Sequence, residues 1–363
     1  MKKKVRVLVV DDSALMRKLI PQILERDGSI DVVGTAMDGS FGLRKLEELK
    51  PDVVTVDLDM PRMDGMEMLR QIMRNYRVPV IVVSAHSTAG ATSTFKALSL
   101  GAFDFVTKPQ SAMHADMEAI AATLIEKVRC AAEVGPMAAH RALPEAAVRV
   151  QKPIMRARRR ASRIVAIAIS TGGPHALQYL LSQLPGDFPA SIVVVQHMPE
   201  KFTELFAQRL DEYCAIEVKE ARSGDLLLAG RALIAPGNRH LRVRRLPLGD
   251  VALLSDEPRC NGHRPSADVL FRSVAQEFGR QALGLIMTGM GEDGAEALGD
   301  IKAAGGLTIA QDESSCVVFG MPRAAIERGS ATRVVPLDAL ANTLIAQCTD
   351  RGRPVEVLAA SEG

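Results

Sequence analysis

Short apolar runs in which hydrophobic and polar residues do not alternate recur along the chain, and longer amphipathic segments separate them. In the first part of the chain these runs are 5–10, 31–36, 52–57, 78–85 and 102–107. A strand that is apolar on both faces must be covered on both faces, as in a parallel sheet with crossover helices. The five strand–helix units therefore predict a doubly wound α/β domain over residues 1–130.

A second set of such runs begins at Arg163. They read RIVAIAIS, SIVVVQH, RALIAPG, HLRVRR, VALLS, ALGLIMTG and GLTIAQ, and segments with helical spacing follow at 174–184, 201–212, 266–279, 293–303 and 337–348. This pattern predicts a second, larger α/β domain with a doubly wound parallel sheet over residues 163–355. The runs near 232–254 allow an antiparallel excursion within it.

Residues 131–162 follow neither pattern. Prolines at 136, 144 and 153 interrupt any helix, and four arginines crowd into positions 156–160. We interpret the segment as a flexible, solvated linker. The alternative, that its basic run binds an acidic partner, stays open.

Composition excludes several classes of protein. With 363 residues the chain is long enough for two domains, and 47% hydrophobic and 24% charged residues are typical of globular proteins. Its 45 basic and 43 acidic residues leave a net charge of +2, which gives no overall attraction to nucleic acid or anionic lipid. No apolar stretch approaches the roughly 18 residues of a membrane span. The run after Lys4 ends at Asp11, too soon for a signal peptide. We expect a cytoplasmic protein without membrane insertion or a nucleic-acid partner.

The cysteines argue against a stapled fold. There are five, an odd number, and they are far apart without a C-x-x-C pair. Neither a zinc site nor a disulfide framework is indicated. Idle thiols in a reducing compartment are the simpler interpretation.

Polar side chains follow several predicted strands of the first domain. Asp11 and Asp12 come after the first strand, and Asp57 ends the third. The carboxyl ends of parallel strands line the crevice where ligands bind. Three carboxylates there repel one another, and Mg²⁺ with its preference for oxygen ligands relieves the repulsion.

Ser84 ends the fourth strand, and Lys108 follows the fifth. A hydroxyl and an ammonium at the same edge can hold a phosphoryl group. Attack by a carboxylate on a phosphoryl donor would then give an aspartyl phosphate. Each aspartate alone could instead be a helix N-cap, as at Asp12-Ser13 or Asp64, but so many polar groups at successive strand ends favour a site.

The strings VVDDSALMR, TVDLDMPRMDG, VSAHS and DFVTKP resemble the receiver domain of two-component response regulators over residues 5–125. The resemblance implies a flavodoxin-like fold with Asp57 as the phosphoacceptor. As Mg²⁺ ligands it implies Asp11, Asp12, Asp57 and, through its carbonyl, Asp59. It also implies that Ser84 and Phe105 shift on phosphorylation while Lys108 contacts the phosphoryl group.

A serine lies on a glycine-rich turn of the second domain. The sequence Ser170-Thr171-Gly172-Gly173-Pro174 follows a predicted strand and precedes a predicted helix. The glycines permit a sharp turn, and Pro174 suits the first helical turn. The turn could bind a phosphate or hold a nucleophile beside an oxyanion hole. No G-K-[ST] follows, which excludes a P-loop, and G-x-S-x-G is absent.

His197 ends the next predicted strand, and Asp293 follows another. Neighbouring parallel strands would bring both to the edge that carries Ser170. His197 could then accept the hydroxyl proton while Asp293 orients the imidazole, and turn amides around Thr171 and Met290 are candidate oxyanion donors. Each residue also has an ordinary alternative: a strand-end histidine, a helix N-cap at Asp293, or a simple turn at Ser170.

Residues 163–349 resemble the catalytic domain of the chemotaxis protein-glutamate methylesterase family, CheB. The matching strings are AIAISTGGP, VVVQHMPEKFT, ALIAPGNRHL, HRPSADVLF, MTGMGEDGA and AQDESSCVVFGMP. The resemblance implies Ser170 as nucleophile, His197 as base, Asp293 as its partner and His263 in a supporting role. One departure is AIAIS, where the family often has Gly and Ala before the serine. We expect Ile169 to point into the strand's packing and to leave the triad intact.

Together these resemblances imply a phosphorylation-activated serine esterase that demethylates glutamate methyl esters on chemoreceptors and also deamidates glutamines. They imply a chemotaxis histidine kinase as the phosphodonor, and we expect a monomer whose esterase needs no cofactor. The unphosphorylated receiver would pack over the catalytic edge. One rival is a response regulator whose second domain binds DNA, although no helix-turn-helix is evident. Another is an esterase that serves a different chemosensory array.

Overall fold

The computed structural model describes residues 3–85, 87–108, 114–135 and 159–349. The first domain alternates strands and helices throughout. Its strands are β1 (Val5–Val10), β2 (Ile30–Ala36), β3 (Val53–Asp57), β4 (Val80–Ser84) and β5 (Asp104–Thr107). Its helices are α1 (Ala14–Leu24), α2 (Gly39–Leu49), α3 (Gly65–Asn75), α4 (Thr88–Ser99) and α5 (His114–Val134).

The five strands form one parallel sheet in the order β2-β1-β3-β4-β5. Strands β3 and β4 are buried at every residue, which explains why their sequences do not alternate. The doubly wound, flavodoxin-like fold is confirmed. Helix α5 runs to Val134, beyond the boundary predicted at residue 130.

The second domain is larger. Its strands are β6 (Arg163–Ile169), β7 (Ala190–Gln196), β8 (Glu217–Glu220), β9 (Arg231–Ile234), β10 (His240–Arg244), β11 (Val251–Ser255), β12 (Ala282–Ile286), β13 (Leu307–Gln311) and β14 (Arg333–Val335). Its helices are α6 (Gly173–Ser182), α7 (Phe202–Tyr213), α8 (Ala267–Phe278), α9 (Ala295–Ala303), α10 (Met321–Glu327) and α11 (Leu337–Thr349). The predicted linker and domain end lie mostly outside the described residues, at 136–158 and 350–355.

Seven strands of this domain form a parallel sheet in the order β14-β13-β12-β6-β7-β9-β8. The predicted antiparallel excursion is confirmed only for β10 and β11, which pair as an antiparallel hairpin. Strand β9 lies within the same predicted excursion, but it pairs parallel with β7 and β8. Its last three residues are buried like those of a central strand, and this burial places it in the main sheet.

Aromatic rings join the two domains. Phe95 on α4 stacks on Phe206 of α7 with centroids 5.7 Å apart, and Phe105 on β5 stacks on Phe202 at 4.9 Å. Arg209 Nη2 also donates to Ser99 Oγ at 2.7 Å. The first domain is therefore packed against α7 of the larger domain.

Two composition arguments can be compared with the coordinates. No helix within the described residues has both the length and the apolarity that crossing a membrane requires. Cys130, Cys214, Cys316 and Cys348 are buried, and no disulfide joins any of the described cysteines. Burial raises the pKa of Cys130 and of Cys348 to about 12, so these thiols are unreactive at neutral pH.

Candidate functional site

The three predicted carboxylates of the first domain meet at the carboxyl edge of its sheet. One oxygen each from Asp11, Asp12 and Asp57 lies within 4.8 Å of the others. Asp11 and Asp57 are buried, whereas Asp12 is exposed. The cluster therefore opens to solvent on one side.

Lys108 is the counter-charge of this cluster. Its Nζ lies 2.6 Å from Asp57 Oδ2 and 3.0 Å from Asp11 Oδ2, but the geometry makes a hydrogen bond only with Asp57. Asp11 Oδ2 is left without a hydrogen-bond partner among the described residues. Burial raises the pKa of Asp57, and the hydrogen bond and charge of Lys108 only partly offset this effect.

Local capping explains some of the neighbouring polar residues. Ser13 caps α1 by accepting from Met16 N, and Asp64 caps α3 by accepting from Glu67 N. The capping alternative is thus correct for these two residues, whereas Asp57 caps no helix. Asp59 N donates to Asp57 Oδ1 at 3.3 Å.

The two predicted switch residues lie on the strands beside the cluster. Ser84 is buried at the end of β4, where its Oγ donates to Gly90 O at 3.1 Å. Phe105 is buried on β5; Lys127 Nζ lies 5.3 Å from its ring centroid, and Phe202 stacks on the ring at 4.9 Å. Phe105 therefore contacts the second domain directly.

In the second domain, Ser170 lies directly after β6. Its N–H donates to Thr288 O at 3.0 Å, which ties the turn to the segment after β12. Gly172 has φ of 76°, a conformation that favours glycine. Ile169 is fully buried, as expected for a side chain that points into the strand packing.

His197 and Asp293 form the central pair of this edge. His197 Nε2 lies 2.8 Å from Asp293 Oδ2. The other ring nitrogen, Nδ1, is buried and has no hydrogen-bond partner in the described part of the chain. The imidazole is thus anchored through one nitrogen, and the second is left available.

Asp293 is surrounded by hydrogen-bond donors at the start of α8. Ser266 Oγ donates to its Oδ1 and Ala267 N to its Oδ2, each at 2.7 Å. Burial alone would raise the pKa of Asp293, but the bonds from His197, Ser266 and Ala267 outweigh it and hold this pKa far below its ordinary value. Asp293 is therefore a fixed anion, stabilised also by the helix N-terminus.

Asp268 on α8 makes the reciprocal contact. Its Oδ1 accepts from Gly294 N and Ala297 N, both at 3.1 Å, at the start of α9. Asp293 thus caps α8, the helix that carries Asp268, and Asp268 caps α9, the helix that follows Asp293. Asn261 Nδ2 joins them, at 2.7 Å from Asp268 Oδ2 and 3.4 Å from Asp293 Oδ1.

His263 stacks on His197, with ring centroids 4.0 Å apart and an interplanar angle of 2°. Burial, with a further contribution from the adjacent His197, lowers the pKa of His263 to about 4. His263 is therefore a neutral, flat surface against His197 at physiological pH. Thr171 is buried and accepts from Thr288 Oγ1 through its carbonyl, while Met290 lies on the segment after β12.

The predicted residues of the second domain converge on one cleft between the domains. The cleft has a volume of about 500 Å³. On the side of the second domain it is lined by Ser170, Thr171, His197, His263 and Met290, and on the side of the first domain by Phe105, Lys108, Thr123, Glu126 and Lys127. Asp293 lies behind His197, outside the lining.

Comparison with known proteins matches this division. Residues 7–119 match the sequence model of the response regulator receiver domain, and residues 165–344 match that of the CheB methylesterase. A Koribacter versatilis protein named protein-glutamate methylesterase/protein-glutamine glutaminase 2 is 64% identical over 348 residues, which covers 94% of this chain and 96% of that protein. The chain belongs to the CheB methylesterase family.

Other members of the CheB family extend the match. A Pyrococcus horikoshii protein named protein-glutamate methylesterase/protein-glutamine glutaminase is 44% identical over 349 residues, covering 95% of this chain and 94% of that protein. The crystal structure of the Thermotoga maritima CheB methylesterase catalytic domain covers 52% of this chain and 99% of its own, with 40% identity and a TM-score of 0.51. The expected family and the α/β fold are both confirmed.

Proposed function

We propose that this chain hydrolyses γ-methyl esters of glutamate on chemoreceptors, releases methanol, and deamidates glutamines by the same route. The observation that carries the proposal is the His197–Asp293 pair, which lies beside Ser170 at the carboxyl edge of one parallel sheet. Demethylation of receptors by such an enzyme serves sensory adaptation in chemotaxis. We place the reaction in the cytoplasm, where the receptor helices that carry such esters would be accessible.

The reaction follows from the roles of the two ring nitrogens. Nε2 of His197 donates to Asp293, so Nδ1 is the atom that takes the proton from the Ser170 hydroxyl. The Ser170 oxygen forms a bond to the γ-carbonyl carbon, and methanol leaves with the proton from Nδ1. Water then gives a proton to Nδ1 and its oxygen bonds to the acyl carbon. The bond to Ser170 breaks, Nδ1 returns the proton to the Ser170 oxygen, and the glutamate carboxylate is released. With a glutamine substrate the leaving group is ammonia.

Backbone amides would stabilise the negative oxygen that forms during both steps. We assign this role to the N–H groups of Thr171 and Met290, because both residues line the same cleft as Ser170. Asp293 would stay ionised throughout, because its donors stabilise the charged form. The neutral ring of His263 would keep water away from one face of His197.

In the receiver, we propose that Asp57 accepts a phosphoryl group from a histidine kinase. The possible ligand atoms fit Mg²⁺, because they are carboxylate oxygens. One of them, the buried Asp11 Oδ2, receives no hydrogen bond from the described residues. Asp11, Asp12, Asp57 and the Asp59 carbonyl would hold the ion, which would screen the negative charge of the phosphoryl group. Lys108 would contact the transferred group.

Phosphorylation would act through the interface between the domains. Receiver residues form one side of the cleft that contains Ser170, so the unphosphorylated receiver would restrict access of a receptor helix. Phe105 touches Phe202, and its shift together with Ser84 would weaken the packing. We therefore infer that the phosphorylated chain is the more active form.

Methanol release from methylated receptor membranes tests both parts. Wild-type protein, Ser170→Ala and Asp57→Ala would be compared with and without Mg²⁺ and a small-molecule phosphodonor. We expect release to require Ser170 and to rise with the donor only when Asp57 is present. Absence of release from a phosphorylated wild-type chain would overturn the esterase assignment. An unchanged basal rate after removal of residues 1–140 would overturn the inhibitory role of the receiver.

A further inference from the structure

Gln196 is the last residue of β7 and directly precedes His197. Its side chain is only 2% exposed. Its Nε2 donates to Ser170 O at 3.0 Å and to His197 O at 3.2 Å. One buried amide group therefore holds the backbone of two residues that the proposed reaction uses.

The orientation of this amide is fixed by its partners. Both acceptors are carbonyl oxygens, so the nitrogen must face them. Its Oε1 then points away, and it is buried without a hydrogen-bond partner in the part of the chain that the structure describes. A Cβ at Gly173 would lie 2.1 Å from this oxygen, which explains why glycine occupies that position.

The remaining backbone contacts do not replace this link. Ser170 O also accepts from Gly173 N at 2.8 Å, within its own turn. His197 N donates to Ile169 O at 3.1 Å, one residue before the serine. Only Gln196, among the described side chains, donates a hydrogen bond to the carbonyls of both Ser170 and His197.

We propose that Gln196 is a positioning residue that sets the separation of Ser170 from His197 and thereby aligns the hydroxyl with Nδ1. This inference rests on the proposed function of Ser170 and His197. A displacement of about 1 Å between reacting groups can reduce a rate by about a hundredfold. The unpaired Oε1 is consistent with such a role, since buried polar atoms without partners are rare and call for an explanation.

Gln196→Leu removes both donors at similar volume. We expect kcat for methanol release to fall by about ten- to a hundredfold while KM stays within about twofold, because substrate binding does not involve this buried side chain. Gln183→Leu is the matched control, since Gln183 is an exposed glutamine of the same domain whose Nε2 donates to Tyr179 O. It should keep the wild-type kcat.

Gln196→Glu gives a signature that a purely structural role would not produce. An ionised carboxylate would face two carbonyl oxygens, whereas the protonated acid can still donate one hydrogen bond. Burial favours the protonated form. We therefore expect the kcat of Gln196→Glu, relative to wild type, to rise as the pH falls from about 8 to about 5.

The two failures are distinguishable. If Ser170→Ala retains the wild-type rate, or if a fluorophosphonate labels neither wild type nor Gln183→Leu, the proposed triad is wrong. If Ser170 is required but Gln196→Leu keeps kcat within twofold, the positioning role is wrong. Thermal unfolding separates lost stability from lost kcat. Leu340→Ala, a buried-core variant away from the cleft, is the control for lost stability. It should unfold at a lower temperature but keep the wild-type kcat for its folded fraction. If it loses kcat as Gln196→Leu does at the same loss of stability, the positioning role is also wrong.

Discussion

Each domain places a buried aspartate at the carboxyl edge of a parallel sheet, and the two are satisfied in opposite ways. Asp57 has the Lys108 ammonium at 2.6 Å and one long N–H contact from Asp59. Asp293 accepts from His197, from the Ser266 hydroxyl and from Ala267 N, all within 2.8 Å. Burial raises the pKa of Asp57, whereas donors overcome burial and lower the pKa of Asp293.

The difference matches the two proposed tasks. Asp57 has few hydrogen-bond donors around it and lies next to Asp11 Oδ2, which has no hydrogen-bond partner among the described residues. Binding of a cation or a phosphoryl group would therefore stabilise this site. A carboxylate saturated with donors gains nothing from a new ligand, but it keeps its charge and its position. The same edge of the same kind of sheet can therefore be made reactive or inert by the number of hydrogen-bond donors around it.

The largest expected effect is on catalysis. In the proposed reaction the Asp293 charge orients and stabilises the His197 imidazolium. Asp293→Asn would remove it, and we expect kcat to fall about 10³- to 10⁴-fold. Methanol release with phosphorylated protein measures it. Asp250→Asn is the matched control, because Asp250 is buried and paired with Arg160 at 2.8 Å away from the cleft, and it should keep kcat within about twofold. A loss of less than tenfold in Asp293→Asn would contradict the role of the anion.

The next effect concerns Mg²⁺. An ion that binds only the folded receiver stabilises it by about 2.7 kcal/mol at a hundred times its Kd. We expect Mg²⁺ to raise the receiver's melting temperature relative to EDTA in wild type and in Asp293→Asn, and the rise to be lost in Asp12→Asn. Thermal unfolding by circular dichroism measures it. An equal rise in Asp12→Asn would show that the ion binds elsewhere.

Most of the fold can be predicted from the sequence because central strands are apolar on both faces. The strands that escaped prediction are β8 and β14, which lie at the two edges of the larger sheet. Their sequences, EVKE and RVV, are partly polar, and β14 is largely exposed. Hydrophobicity reports burial rather than strand structure, so edge strands are the first to be missed. Helix α10 was also missed, because its seven residues are too few to show a helical repeat of hydrophobic positions.

The candidate site could be predicted only in part. Ser170, His197 and Asp293 lie at strand ends, where topology alone brings them together. The residues that set their properties come from other segments: Ser266 from the position before α8, Asp268 from α8, Asn261 from a turn, and Gln196 from the end of β7. Ser266 precedes a helix and resembles an ordinary N-cap, yet it donates to Asp293 while Asp293 caps the helix. Such exchanged caps depend on tertiary contacts that no local pattern encodes.

A smaller effect is the contribution of the ionised Asp293 to the free energy of unfolding, which should depend on pH. Because the pKa of Asp293 is lowered on folding, its stabilisation is complete above the unfolded pKa of about 3.9 and is lost as the pH falls toward the folded value. We expect Asp293→Asn to lower the free energy of unfolding by about 2 kcal/mol at pH 7. This difference should shrink below about pH 4. Urea unfolding across pH 3–7 measures it, and a difference that stays constant with pH would contradict the ionic origin.

The smallest expected effect tests whether contact between the two domains lowers the activity of the unphosphorylated protein. Arg209 Nη2 donates to Ser99 Oγ across the domain interface, and an exposed bond of this kind contributes about 0.5–1 kcal/mol. If the closed arrangement limits the unphosphorylated rate, Arg209→Ala should raise basal methanol release about two- to fivefold and leave the phosphorylated rate unchanged. Lys302→Ala removes an exposed bond to Gly329 O within the catalytic domain and should change neither rate. A fall in both rates with Arg209→Ala would mean that the receiver stabilises the catalytic edge rather than covering it. Phosphorylation at the Asp57 cluster would then change the activity by changing the stability of the catalytic site, not by opening access to Ser170.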